Sequence, residues 1–302
     1  MISVEVDNLS KTYGTVKAVE RFSFTAGTQE IVAVAGPDGA GKTSLFRSLC
    51  GLIRFDDGRA AISGHDVQRE LDRIKPLLGY MPQTFSLYHD LSVEENLRFY
   101  AGLFGLNKRT FDTKKESLYL FSGLGPFRNR PAGKLSGGMK QKLALSCALI
   151  HDPRILILDE PTTGVDPLSR RQFWDILKEL RRAGATIIVS TPYMDEVAQA
   201  DRAVFMYMGS KLAEGTPAHL AALYQGQVYQ VDVEPTSAHL QTFQQIGGID
   251  VRRFGSALHV QVAAGTDIVA VFAALANAGV ARENIHPISP GLEDVFIQLM
   301  GK

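Results

Sequence analysis

The stretch Gly36-Pro37-Asp38-Gly39-Ala40-Gly41-Lys42-Thr43-Ser44 constrains this chain more than any other. The apolar run Glu30–Ala35 precedes it and reads as a buried strand. Ser44–Leu52 follows, with apolar residues at helical spacing and a late glycine, and reads as a helix. Strand, glycine-rich turn and helix form the context that a G-x-x-x-x-G-K-[ST] pattern needs. Glycines let successive backbone N–H groups converge on phosphate oxygens, and the helix N-terminus adds partial positive charge. In that geometry Lys42 reaches the β- and γ-phosphates and the Thr43 hydroxyl binds Mg²⁺. The pattern alone also suits a glycine-rich loop in an unrelated α/β protein. Its flanks favour a nucleotide site.

A second stretch supplies carboxylates. Arg154-Ile155-Leu156-Ile157-Leu158-Asp159-Glu160-Pro161 reads as a central strand that ends in two acids, at the sheet edge where open α/β folds bind ligands. Burying adjacent carboxylates without cation partners is costly, so a purely structural role is disfavoured. Asp159 is expected to hold Mg²⁺, directly or through water, and Glu160 to act as general base on the attacking water. Ahead of it, Leu135-Ser136-Gly137-Gly138-Met139-Lys140-Gln141 leads a helix read at Lys142–Ile150. This is either a second anion-binding helix start or a tight turn capped by Ser136.

The 302 residues allow one large and one small domain, or two of similar size. Acidic and basic residues balance at 32 each, so net charge gives no support to nucleic-acid binding. No apolar run approaches the roughly 18 residues needed to cross a bilayer, and Met1–Asp7 alternates like a strand rather than a signal peptide. A cytosolic protein is the default; if it works at a membrane, another chain must supply the spans. Cys50 and Cys147 lie in helical apolar patterns, which favours buried thiols over a disulfide or metal site.

Strands are expected at Ser3–Asp7, Lys17–Phe24, Glu30–Ala35, Ala60–Ser63 and Leu77–Met81, with a turn at Asp56–Arg59. Tyr13 precedes the phosphate loop, where an aromatic face can stack on a base; by itself it reads equally as a strand-edge tyrosine. Ser92 and Glu95 have capping-box spacing, and residues 92–150 look mostly helical. A helix at about Leu168–Ala183, a strand at Thr186–Ser190, a helix near Asp195–Ala200, strands at Ala203–Met208 and Lys211–Glu214 and a helix at Thr216–Tyr224 follow. From Gln227 the order strand, helix, strand, strand, helix, strand predicts a small ferredoxin-like split βαβ domain, with a last helix at Leu292–Leu299. It carries no catalytic constellation, and His239, His259 and His286 are scattered.

Taken together, these motifs resemble the nucleotide-binding subunits of ABC transporters. Tyr13 falls where the adenine-stacking aromatic lies, Gly36–Ser44 matches Walker A, and Gln83 the Q-loop. Leu135–Gln141 is similar to the LSGGQ signature with methionine replacing glutamine, Asp159-Glu160 to the Walker B end, and Asp166 to the D-loop. The likeness spans roughly residues 2–225. The Gly-Val-Asp-Pro turn, the segment Phe85–Leu91 and the ending Leu292–Phe296 resemble the ABC-2, multidrug-exporter branch.

The resemblance implies an α/β P-loop NTPase of the ABC type: a mixed core sheet, an antiparallel β subdomain and a helical subdomain at about 84–150. Domains of 1–225 and 226–302 are expected, the second an α+β accessory domain. The ligands implied are ATP and Mg²⁺. Tyr13, Gly36, Pro37, Asp38, Gly39, Ala40, Gly41, Lys42, Thr43, Ser44, Ser136, Gly137, Gly138 and Asp166 would contact nucleotide; Thr43, Gln83 and Asp159 the metal; Glu160, Gln83 and Lys42 would serve catalysis. A head-to-tail dimer is implied, with Ser136, Gly137 and Gly138 of one cassette on the γ-phosphate held by Lys42 of the other. Partners would be integral-membrane permease subunits and a second cassette, identical or paralogous, with the chain peripheral on the cytoplasmic face of the membrane. Soluble relatives acting on nucleic acid or ribosomes fit less well: the span from Gln83 to Leu135 is short for inserted coiled coils, and only one cassette is present.

One position departs from the family. Where a histidine usually follows the strand after Walker B, the chain reads Ser190-Thr191-Pro192-Tyr193, and no histidine occurs between His151 and His219. Proline offers no donor, and loss of one transition-state hydrogen bond costs on the order of 10²–10³ in rate. Slow hydrolysis, or reliance on Glu160 with a neighbouring hydroxyl such as Thr191, is expected. A nucleotide-driven clamp with little hydrolysis is the alternative.

Overall fold

The computed structural model describes residues 1–84, 86–254 and 257–301. Phe85, in the segment singled out at Phe85–Leu91, and the expected turn Gly255-Ser256 lie outside the described residues. The chain divides into two compact units, Met1–Pro217 and Ala218–Lys302.

The first unit opens with a long hairpin, β1 (Ile2–Tyr13) and β2 (Val16–Gly27), each strand running further than its alternation alone indicated. β3 (Ile31–Ala35) is buried along its whole length, as its unbroken apolar run requires. α1 (Lys42–Leu49) starts inside the glycine loop rather than at Ser44. β4 (Asp57–Ile62) begins where a turn was expected and pairs back onto β1. The short β5 (His65–Asp66) and α2 (Leu71–Ile74), which pattern did not predict, lead to β6 (Leu78–Met81).

The helical segment holds α3 (Val93–Leu103), α4 (Lys108–Ser122) and α5 (Gly137–Leu149). Ser92 and Glu95 form the expected capping box: Glu95 N donates to Ser92 Oγ at 3.2 Å and Ser92 N to Glu95 Oε2 at 2.8 Å. α5 starts at Gly137, not Lys142, because Ser136 caps it and both glycines enter its first turn. Then come β7 (Ile155–Leu158), α6 (Pro167–Arg182), β8 (Thr186–Thr191), the short α7 (Met194–Val197), β9 (Arg202–Tyr207) and β10 (Ser210–Gly215).

Two sheets result. β2-β1-β4-β5 is antiparallel throughout; β10-β9-β3-β8-β7-β6 is parallel apart from β10. One core joins them, drawing Val4, Phe22 and Phe24 from the first sheet, Val32, Ile157 and Ile188 from the second and Leu45, Phe46 and Leu49 from α1. Ala35 is level with Thr191, and Leu158 with both Val189 and Met81. The loops leaving β3, β6, β7 and β8 therefore emerge together at one sheet edge. Cys50 and Cys147 are buried free thiols.

α8 (Pro217–Ala221) spans the division between the units. The second unit then runs β11 (Gly226–Val231), α9 (Ser237–Gln244), β12 (Ile249–Phe254), β13 (Ala257–Ala263), α10 (Ile268–Asn277), β14 (Ile285–Ile288) and α11 (Leu292–Met300). Its antiparallel order, β12-β13-β11-β14, is the split βαβ arrangement. The division falls at Pro217/Ala218 rather than 225/226. Gln225 is bound into the second unit: its N donates to Gln298 Oε1 at 2.8 Å and its O accepts from Gln298 Nε2 at 2.6 Å.

Phe46 is fully buried among the two sheets and α1. Phe46→Ala is expected to lower unfolding free energy by about 3–5 kcal/mol. A urea titration followed by fluorescence of Trp174, the single tryptophan, measures it.

Candidate functional site

The glycines of the phosphate loop are required by space as well as by backbone. A Cβ at Gly36 would lie 2.1 Å from Met206 O, and one at Gly41 only 2.0 Å from Ala18 O. Gly39 and Gly41 also take left-handed backbone, φ 78° and 106°. The loop thus turns tightly onto the start of α1 and lines a cleft of about 480 Å³ together with Val16, Lys17, Ala18, Gln83, Glu160 and Met208.

Lys42 is 3% exposed, donates to Gly36 O at 2.7 Å and Pro37 O at 2.8 Å, and forms an ion pair with Glu160 Oε1 at 3.0 Å. Glu160, 4% exposed, is held at its other oxygen by Gln83 Nε2 at 2.9 Å and Thr163 Oγ1 at 3.2 Å. Its backbone is left-handed, φ 46°, and its N donates to Ser190 Oγ at 2.8 Å. A strained carboxylate so heavily fixed is typical of a site, since the surroundings must over-determine it.

Asp159 takes the other role. Its Oδ1 accepts from Ser190 Oγ at 2.8 Å and Thr43 Oγ1 at 3.3 Å. Its Oδ2 is buried without a partner among the described residues. Burial raises the Asp159 carboxyl above its ordinary value, against the lowering bonds from Ser190 and Thr43. An unpartnered buried oxygen beside a threonine hydroxyl fits a hard cation that takes oxygen ligands. Thr43 and Asp159 are thus together. Gln83 reaches Glu160 instead of completing a three-residue metal set.

The remaining expected residues are placed apart. Tyr13 sits half-exposed at the β1–β2 tip, paired with Val16, with Lys11 Nζ 5.2 Å from its ring. Ser136 and Gly137 are exposed at the start of α5, and Gly138 is pressed against Ser169 of α6. Asp166 caps α6, accepting from Ser169 N at 2.9 Å; the Ser169 hydroxyl first, and this N–H with it, lower its carboxyl.

Thr191 is engaged away from Glu160. Its hydroxyl is buried and donates to Glu196 Oε2 at 2.6 Å while accepting from Tyr193 N at 3.0 Å. Glu196 also accepts from Thr162 Oγ1 at 2.6 Å. The hydroxyl on Glu160 is Thr163's. Thr163 and Ser190 were both missed as site residues; a hydroxyl near the end of the buried run of β8 marks Ser190, whereas Thr163 lies in an exposed turn without such a mark. Val16 and Met208 gave no local signal.

Asp159→Asn separates charge from geometry. The unfolded carboxyl ionises near its ordinary value of about 3.9, below the raised folded value, so stability falls as pH rises through that window and the buried charge remains a cost above it. Asparagine keeps Oδ1 for Ser190 and Thr43. The variant is expected to melt higher than wild type at neutral pH without nucleotide, and to lose the Mg²⁺-dependent gain in ATP affinity. Thermal melts and titration calorimetry with and without Mg²⁺ check both.

The family model described as ABC transporter matches residues 19–163. The Nod factor export ATP-binding protein I of Sinorhizobium fredii (strain NBRC 101917 / NGR234) is 33% identical over all of this chain and 87% of its own length. The probable multidrug ABC transporter ATP-binding protein YbhF of Escherichia coli (strain K12) is 41% identical over 72% of this chain, a match that spans 38% of that protein. Among solved structures, an ATP binding subunit of an ABC transporter superposes with a TM-score of 0.66 at 29% identity, covering 73% of this chain and 92% of that one. The phosphate loop, the paired acids at the end of β7 and these likenesses agree: the chain belongs to the ABC transporter family.

Proposed function

We propose that this chain binds ATP and Mg²⁺ at the cleft beside α1 and hydrolyses ATP to drive a membrane exporter through nucleotide-dependent, head-to-tail dimerisation. The carrying observation is the Lys42–Glu160 contact. A buried base is neutralised by the cation that would bind the phosphates. Phosphate oxygens draw the Lys42 ammonium away, and Glu160 Oε1 is released to accept a proton from water. Gln83 and Thr163, on Oε2, keep the carboxylate aimed. Thr43 and Asp159 would hold magnesium, whose charge would offset that developing on the phosphates.

Dimerisation is supported by the placement of Ser136 and Gly137. They sit exposed at a capped helix N-terminus, a geometry suited to an anion, and they do not line their own chain's cleft. In a head-to-tail pair, Ser136, Gly137 and Gly138 would meet the γ-phosphate on the other cassette's Lys42, with Asp166 close by and Tyr13 on the adenine. No described helix is long and apolar enough to cross a membrane, so permease subunits would supply the spans and this chain would sit peripherally on the cytoplasmic face. Relatives named for multidrug and Nod factor export point to an exporter. The neutral charge balance argues against nucleic acid as partner. The second unit would be an accessory domain.

Pro192 favours a second reading, a clamp that binds ATP with little turnover. It ends β8 without a donor, and the adjacent Thr191 hydroxyl is committed to Glu196.

Two variants decide between them. Glu160→Gln is expected to cut ATP turnover by roughly 10²–10³ and to trap an ATP-bound dimer seen by light scattering. ATP binding without Glu160-dependent turnover in the wild type would establish the clamp. Pro192→His is expected to raise turnover by up to the same order; an unchanged rate would mean that Gln83 and Thr163 suffice.

A further inference from the structure

The turn from β9 to β10, Tyr207-Met208-Gly209-Ser210, departs from local preference twice. Tyr207 pairs with Ser210, so Met208 and Gly209 form a two-residue loop, and both have left-handed backbone, φ 46° and 81°. Such loops favour Asn, Asp or Gly at the first position, because other side chains are strained there. Met208 is also 73% exposed, whereas methionine ordinarily fills cores or binding surfaces. Departures of this kind concentrate at functional sites.

The turn is wedged against the phosphate loop. Gly209 N donates to Ala40 O, and Gly209 O accepts from Glu20 N, both at 2.9 Å. A Cβ on Gly209 would come within 2.9 Å of Lys17 O. Fixed from both sides, the turn places Met208 on the wall of the nucleotide cleft with Val16 and Lys17. Val16 is itself 63% exposed and pairs with Tyr13, which puts both side chains on one face of the neighbouring hairpin tip. Two exposed apolar residues thus border a cleft that also contains the phosphate loop and buried charge.

We propose that Met208 is a specificity-determining residue for the nucleotide base. Its thioether covers the base while the phosphates lie on Gly39–Ser44. The inference rests on the ATP reading above and adds, beside Tyr13, a second contact that selects a nucleotide over a bare polyphosphate. Polarizable sulfur gains from contact with an aromatic ring, and a pre-set turn has little backbone freedom left to lose on binding. The strain at Met208 is the cost of presenting that sulfur from a rigid position.

Calorimetric titration of ATP and of tripolyphosphate, both with Mg²⁺, into wild type, Met208→Ala, Met208→Leu and Met208→Asn tests this. Met208→Ala is expected to weaken ATP by roughly two- to tenfold and leave tripolyphosphate unchanged, with Met208→Leu restoring part of the loss. Met208→Asn relieves the left-handed strain, so its thermal midpoint rises while its ATP affinity falls. Unchanged ATP affinity in Met208→Ala overturns the inference, as does equal weakening of both ligands. Wild type that binds neither ligand would overturn the nucleotide reading itself, and this inference with it.

Discussion

A pair of neighbouring carboxylates at the end of a buried strand governs this structure. Asp159 and Glu160 leave β7 at the level of the central sheet's edge, both largely buried, with Glu160 on the wall of the cleft. Charges in such a place need partners. The chain supplies them from the start of α1, the loop after β6 and the end of β8: Lys42 and Thr43, Gln83, and Ser190. The site is therefore also a fastening of the sheet's edge, and an event that recruits Lys42 is felt by Glu160 and the elements bound to it.

Four residues with left-handed backbone line the same cleft. Gly39 and Gly41 take conformations that suit glycine, Glu160 takes one that does not suit glutamate, and Met208 one that does not suit methionine. The first two lie where a Cβ has no room or no favourable φ. The others lie where a particular side chain is needed in spite of the strain. The buried Thr162–Glu196–Thr191 link ties the loop after β7 to the end of β8. It holds the Pro192 segment without offering a donor toward Glu160.

Much of this was legible in the residues. The unbroken apolar runs of β3, β7 and β8 named the central strands, because only strands covered on both faces can be apolar throughout. The phosphate loop announced itself through glycine spacing, and Ser92 with Glu95 through capping chemistry. Boundaries were less legible. α5 reaches back to Gly137 although glycine disfavours helix interiors, since Ser136 caps the end and Gly138 lets α6 approach. The unit boundary precedes Gly226 because a pair of bonds from Gln298, far along the chain, captures Gln225.

The sequence by itself determined the phosphate-loop pattern, the paired acids after an apolar run and the order of the central strands, because backbone conformation and hydrophobic period are local properties. Tertiary structure decided which side chains meet. Thr163 rather than Thr191 serves Glu160, Gln83 serves Glu160 rather than the Thr43–Asp159 pair, and Met208 and Val16 share one cleft wall. These outcomes depend on the register among β3, β8, β7 and β6 and on how the β9–β10 turn seats against β2. Both are set by packing between segments far apart in the chain, which no local pattern encodes.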